Sequence, residues 1–262
     1  MSLRRMASTL LSTGVTLAII LGAWLGFIKY LSVNPIVARS PKDVWAYLFT
    51  SDQASAHRSL VWHGLSITLV DAGVGLVAGL VAAAVVAIVF VLSGTVKRAF
   101  LPVAMIVRSV PLIAMTPVIT LIFGRALLAT TVICGIVVFF PALVNVVSGL
   151  RSASPQATDL VRAYGGSTRT TMRKVMIPSA LPSFFTAARV SAPAAIVGAL
   201  LAEWLATGQG IGYQMLRDVT AFDSDDLWAS VVVVTLASLL IYSLINVLER
   251  LVLARFGPVP DR

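Results

Sequence analysis

Five stretches of this chain hold no Asp, Glu, Lys, Arg or His: 6–28, 72–96, 109–124, 126–150 and 227–248. Most of them match the roughly 20 apolar residues with which a helix crosses the hydrocarbon of a bilayer. Charged residues make up 12% of the sequence and apolar ones 58%, where a soluble domain carries about 25% charge, so a soluble fold is excluded. The sequence predicts an all-α polytopic membrane protein. A chain of 262 residues has the length of up to two soluble domains at about 150 residues each. Six spans of ~20 residues take nearly half of it and leave no room for a soluble catalytic domain. The single cysteine, Cys134, lies inside an apolar run, so neither an intrachain disulfide nor a cysteine-based metal or redox site can be built.

The spans follow from the runs. Arg4 and Arg5 precede a first run, 9–30, too long for a signal-peptide core and without a small-residue cleavage site, so it reads as a retained span. Segment 31–62 is mixed, with Pro35, Pro41, Trp45, Tyr47 and Phe49, and 42–49 reads as a short amphipathic helix at the interface within a loop outside the bilayer core. The second span, about 64–92, carries Gly75, Gly79, Ala83 and Ala87 at steps of four. Such a stripe lets another helix approach closely, either within the bundle or across a subunit interface. A third span begins near 101 and is interrupted by Arg108, Pro111 and Pro117, which should kink or break it. The fourth, 126–147, holds Pro141 and Asn145; a polar stretch, 148–182, follows; the fifth and sixth are about 183–204 and 227–250.

Six spans put both termini on one side. With the termini inside, twelve Lys and Arg fall in inner segments and six in outer ones, and the positive-inside rule makes the twelve cytoplasmic. The net charge of +9 is then explained by basic inner loops, 148–182 above all, without nucleic acid. Loop 205–226, with Asp218, Asp223, Asp225 and Asp226, falls outside, where the four aspartates are expected to meet a basic partner.

Catalytic signatures are missing. No G-x-x-x-x-G-K-[ST] is present to cradle phosphates. His57 and His63 have no ligand partner at helical spacing and are placed at the outer interface. Gly208-Gln209-Gly210-Ile211-Gly212 has the wrong spacing for a dinucleotide loop and reads as a flexible outer turn. The informative segment is 154–165. Ser154 suits an N-cap, Pro155 the first helical position and Gly165 a left-handed stop. These predict a helix of about ten residues, with Leu160, Val161 and Tyr164 on one side and Asp159 and Arg162 at its edges. Ser167 is expected to cap a second helix, 168–176, stopped by Pro178. Such an element between two spans suits docking of a partner, or a solvated connector resting on lipid phosphates.

Asp159-Leu160-Val161-Arg162-Ala163-Tyr164-Gly165, nine residues, then Val175-Met176-Ile177-Pro178 resembles the EAA motif of binding-protein-dependent ABC importer permeases. Arg108-Ser109-Val110-Pro111 with Pro117, Phe140-Pro141 with Asn145, Ala202-Glu203 and Gly210-Ile211-Gly212-Tyr213 are similar to the nitrate, sulfonate and taurine branch. Two departures stand out: the acid is Asp159 rather than Glu, and Leu160-Val161 replaces an alanine pair.

The resemblance implies an inner-membrane permease subunit with a type I importer fold, 1–262 being one transmembrane domain and 148–182 its coupling loop. It implies as partners two ATPase subunits that bind ATP and Mg, an extracytoplasmic substrate-binding protein and a second permease, identical or related. This chain would then hold no catalytic residue, cofactor or metal. Asp159 to Gly165 with Val175, Ile177 and Pro178 would take up the ATPase movement, and the solute would be a small anion such as nitrate, a sulfonate or taurine. Within the spans, an ionisable group usually faces the bundle or water. Arg108, Ser109, Pro111, Thr116, Pro117 and Asn145 are the candidates for the translocation path, with Ser109, Thr116 and Asn145 as donors to the carbonyls that the prolines free. Arg108 either snorkels to headgroups or attracts an anion; Arg189 is read as snorkelling, and Glu203 as an inter-helix or partner contact. The rival readings are a six-span secondary transporter or channel, disfavoured by the scarcity of mid-span carboxylates, and an intramembrane enzyme, which lacks a nucleophile and base.

Overall fold

A computed structural model describes residues 3–30, 34 and 36–256, with side chains from residue 14 on apart from Leu17 and Phe256. Pro35, the ends of the chain and the side chains of Arg4 and Arg5 lie outside the described residues. All regular structure among them is helical: α1 (Leu3–Tyr30), α2 (Pro41–Trp45), α3 (Ala54–Leu92), α4 (Gly94–Ser109), α5 (Leu112–Phe123), α6 (Leu127–Arg151), α7 (Pro155–Ala163), α8 (Thr168–Thr171), α9 (Ile177–Ala202), α10 (Gly210–Ala221) and α11 (Ser224–Phe256). Wider π turns continue α2 (Ala46–Thr50), join α8 to α9 (Met172–Met176) and end α9 (Glu203–Thr207). Four helices are long and apolar enough to cross a membrane, a fifth crossing can come from the α4–α5 pair, and α1 adds a shorter apolar stretch, Gly14–Tyr30.

The chain divides into two compact units, Met1–Trp62 with Gln214–Val233, and His63–Tyr213 with Val234–Arg262. In the first, Trp24 stacks on Trp228 at 5.3 Å, and the Trp228 indole N–H donates to the Val37 carbonyl at 2.8 Å. The short interfacial helix forms where it is expected. Ser40 Oγ accepts from the Asp43 N–H and the Asp43 carboxylate accepts from the Ser40 N–H at 2.8 Å, a reciprocal cap. The same Ser40 N–H and hydroxyl hold the Asp43 carboxyl below the usual carboxylate range. The His57 ring stacks on Tyr47 at 3.9 Å, and Nδ1 lies 2.9 Å from the Tyr47 carbonyl, so that nitrogen is the donor. Helix α3 starts at Ala54, eating ten residues earlier than the second apolar run into the segment expected to be loop.

In the second unit α6 is the central helix. The small-residue stripe of α3 packs against it: a Cβ at Gly79 would stand 2.7 Å from Val138 Cβ and 2.9 Å from the Gly135 carbonyl oxygen, and one at Gly75 would overlap Cys134. Ala83 and Ala87 are fully buried. Gly198 of α9 meets the same residue, where an added Cβ would stand 3.1 Å from Cys134 Cα. Of the two readings of the stripe, packing within the bundle is therefore the one observed. Ile119 of α5, Ala129 and Ile133 of α6 and Ala202 of α9 close one end of this core.

Prolines act differently from one another. Helices α4 and α5 meet at 102°, and the break is at Val110-Pro111, where Val110 is extended (φ −77°, ψ 126°), the conformation that a following proline imposes. Pro117 breaks nothing and sits inside α5. Pro178 also fails to stop its helix, contrary to expectation. Helical chain runs unbroken over the 40 residues Thr168–Thr207. The π turn before Pro178, closed by the Ile177 N–H on the Met172 carbonyl, widens the helix just where the ring would meet the preceding turn.

Candidate coupling and translocation surfaces

Helix α7 is built by local chemistry alone. Ser154 Oγ accepts from the Ala157 N–H at 3.4 Å and Pro155 occupies the first turn. At the other end Gly165 takes φ +79°, its N–H donating to the Arg162 carbonyl at 2.9 Å while the Gly166 N–H donates to Val161 at 2.8 Å. This pair of bonds is the Schellman motif, which needs a left-handed residue at Gly165. Leu160 and Tyr164, one turn apart, are 59% and 86% exposed, while Val161 is half-buried beneath Gly166. The apolar tip is thus Leu160 and Tyr164, flanked by the exposed Asp159, Arg162 and Ala163. Ser167 caps the next turn, accepting from the Thr170 N–H at 3.3 Å. Val175 and Pro178 are half-buried there and Ile177 is exposed.

The six residues expected on a path separate into groups. Arg108, Ser109 and Pro111 line a hollow of ≈ 320 Å³ with Phe140 and Pro141 at the α4–α5 bend. Thr116 does not join them: it is fully buried. Pro117 is exposed on α5 and Asn145 half-buried on α6. Nor do the polar side chains serve the carbonyls freed by proline. Ser109 Oγ donates to Met105 (2.8 Å), Thr116 Oγ1 to Leu112 (3.0 Å) and Asn145 Nδ2 to Pro141 (2.8 Å), each to the carbonyl four residues earlier in its own helix. The Val107 carbonyl accepts instead from the Val110 N–H at 3.3 Å.

The aspartates of 218–226 are not a free acidic rim. Asp218 is 5% and Asp226 2% exposed, Gln214 Nε2 donates to Asp226 at 2.7 Å, and Asp225 is held by Arg39 at 2.6 Å. Asp223 alone of the four is exposed, and its Oδ1 accepts from the Asp226 N–H at 3.2 Å. Burial, and then the neighbouring charges of Asp226 and Asp223, push the Asp218 carboxyl up to about 7. Burial beside Asp226, Asp223 and Asp218 likewise raises the Tyr47 phenol. These residues cluster because the expected flexible turn is in fact helix α10, entered through Gly208 and Gly210 at positive φ. Glu203 fixes that entry. It is fully buried and accepts from the Gly212 N–H at 2.7 Å, an inter-helix contact as expected. Arg189 does not snorkel; it reaches α11, donating to Glu249 at 2.8 Å and Asn246 at 3.2 Å.

Asp71, buried in the middle of α3, is absent from the expected polar set. Its signal is the one charge that interrupts an otherwise apolar run, and an ionisable residue inside a span is itself a pointer to function.

Residues 75–257 match the family described as binding-protein-dependent transport system inner membrane component. The formylaminopyrimidine transport permease protein ThiX of Halalkalibacterium halodurans is 31% identical over 74% of this chain and 78% of its own length. The taurine transport system permease protein TauC of Escherichia coli is 23% identical over 90% of this chain and 86% of its own. Among solved structures, a chain of the MetNI methionine ABC transporter in inward-facing conformations superposes with a TM-score of 0.61 at 21% identity, over 78% of this chain and 99% of that one. This chain belongs to the binding-protein-dependent transport system inner membrane component family.

Proposed function

We propose that the chain is the membrane subunit through which a small solute, handed over by an extracytoplasmic binding protein, is imported at the expense of ATP hydrolysed elsewhere. Permeases of this family are not enzymes; they work with a separate ATPase and a binding protein and pair with a second permease. In our reading residues 1–262 form one permease domain, two ATPase subunits bind the ATP and Mg, and the second permease is a copy or a relative. α1, α3, the α4–α5 pair, α6, the helix Thr168–Thr207 and α11 make six crossings, with both termini cytoplasmic on the excess of basic residues in the loops between them.

The observation that carries the reading is α7: a capped, Schellman-ended helix whose apolar tip, Leu160 and Tyr164, stands in the open. ATPase closure would push this knob, and the continuous helix Thr168–Thr207 would carry the displacement past Val175, Ile177 and Pro178 into the membrane. Arg108, Ser109 and Pro111 at the α4–α5 hollow are our candidates for the inner end of the path, where a guanidinium favours an acidic solute. Of the aspartates, only Asp223 remains a candidate to meet a binding protein.

Co-purification with an ATPase from the native membrane tests the class. Capture of a nucleotide-hydrolysing subunit that is lost in a Leu160→Ala, Tyr164→Ala variant supports the reading; a secondary transporter or channel retains transport in vesicles without ATP. Topology is read by cysteines at Phe222 and Arg162: a membrane-impermeant thiol reagent is expected to reach the first from outside and the second from inside only.

A further inference from the structure

A second hollow, of ≈ 370 Å³, opens between α3, the α5–α6 turn and Thr207–Gln209, lined by Ser66, Asp71, Arg125, Thr130 and Gln209 among others. Asp71 is 7% exposed, and among the described residues no hydrogen bond or ion pair reaches its carboxylate. Thr130 is fully buried in the same wall with an unpartnered Oγ1. Arg125 is exposed at the mouth. Buried polar groups are as a rule paired, and a buried carboxylate without a partner is costly. The Asp71 carboxylate borders a hollow of a size that suits a small ligand, with the sealed Thr130 hydroxyl in the wall behind it, which indicates that a group from solution completes the carboxylate. A carboxylate only accepts hydrogen bonds. The complement is therefore a donor-rich group, an ammonium or amino function, with space toward the guanidinium of Arg125 for an acidic end.

We propose that this hollow is a solute-contact site for a small amino-bearing solute, the amino group on Asp71 and any acidic group toward Arg125. The proposal rests on the import reading and narrows its solute from an anion to one that also carries an amine. In that topology the α5–α6 turn and Thr207–Gln209 are extracytoplasmic, so the site stands at the outer end of the path.

The test uses the full-length chain in lipid nanodiscs, with Cys134→Ala removing the native thiol and Ser66→Cys placing a reporter in the wall. Labelling by a small neutral thiol reagent is followed with taurine, ethylammonium or ethanesulfonate present. Taurine and ethylammonium are expected to slow labelling, about tenfold once each stands at roughly ten times its dissociation constant; ethanesulfonate, which lacks the amine, is expected to leave it unchanged. Asp71→Asn should abolish protection and Asp71→Glu should keep part of it. Equal protection by all three probes, protection by none, or protection that survives Asp71→Asn overturns the proposal. Co-purifying ATPase in the same preparation reports on the import reading separately, since amine protection in a chain that captures no ATPase would keep the site and remove the importer.

Discussion

Gly79 and Gly165 are both glycines for opposite reasons, and the two regions they belong to divide the work of this chain. At Gly79 the backbone is ordinary helix and the space is missing, because Val138 and Gly135 of α6 fill the volume of a Cβ. At Gly165 the space is open, with nothing within 4 Å of a Cβ, and the backbone is special, at φ +79°. The α3–α6–α9 core is held by close approach of backbones, as expected where lipid removes the hydrophobic drive between helices and packing has to supply it. The α7 segment is held by its own caps and buries little, which leaves its apolar tip free for a partner. Substitution in the first region should damage the fold and in the second the coupling.

The largest effect is expected at Gly79→Leu. Overpacking costs about 1–3 kcal/mol even where a core yields, and here four carbons must enter a space closed by backbone. The full chain in detergent should lose its thermal transition or give no folded material, while Gly79→Ala should lower the midpoint and retain the fold. A Gly79→Leu protein as stable as the parent would break the comparison at its core side.

Arg189→Met comes next. It leaves Glu249, whose side chain is 14% exposed, without its cation; a fully buried pair broken on one side loses about 3–5 kcal/mol, and this partly exposed one is expected to lose less. Replacing both partners, Arg189→Met with Glu249→Leu, should recover much of the loss, which a thermal scan of the three variants resolves.

Gly165→Val should cost about 1–2 kcal/mol, confined to the left-handed residue, with membrane insertion and the global transition kept. Its readout is functional: ATP hydrolysis by the co-purified ATPase is expected to lose its dependence on transport. Normal coupled uptake in this variant would show that the helix stop is not what α7 contributes.

A last prediction concerns pH. The folded Asp218 carboxyl titrates near 7, raised from 3.8 mainly by burial. An acid whose folded value is raised holds its proton longer when folded than when unfolded. Its contribution is therefore full below about 3.8, falls as pH rises toward 7 and is gone above it. The thermal midpoint should decline across that window, and Asp218→Asn should flatten the decline. An unchanged profile would mean that the cluster with Asp223 and Asp226 is compensated elsewhere.

The charge-free runs of the sequence determined that the chain is helical and membrane-embedded, because a span declares itself by length and composition without reference to any neighbour. Ser154, Pro155 and Gly165 determined where α7 starts and stops, a helix of about ten residues expected and nine observed, since a cap and a left-handed stop act over one turn. The motif spacing identified the family for the same reason: it is written along a single stretch of chain. What the sequence misjudged depends on partners far away in it or on adjustments spread over a turn. Arg189 reads as a snorkelling cation until α11 brings Glu249 to it. Asp218 and Asp226 read as surface charges until α10 and the start of α11 bury them. Pro178 reads as a stop until the π turn ahead of it makes room, and Asp71 is one charge in an apolar run until the hollow gathers Thr130 and Arg125 beside it. Local stereochemistry is additive along the chain and can be read there; pairing and burial are properties of positions in space, and only the tertiary structure decides them.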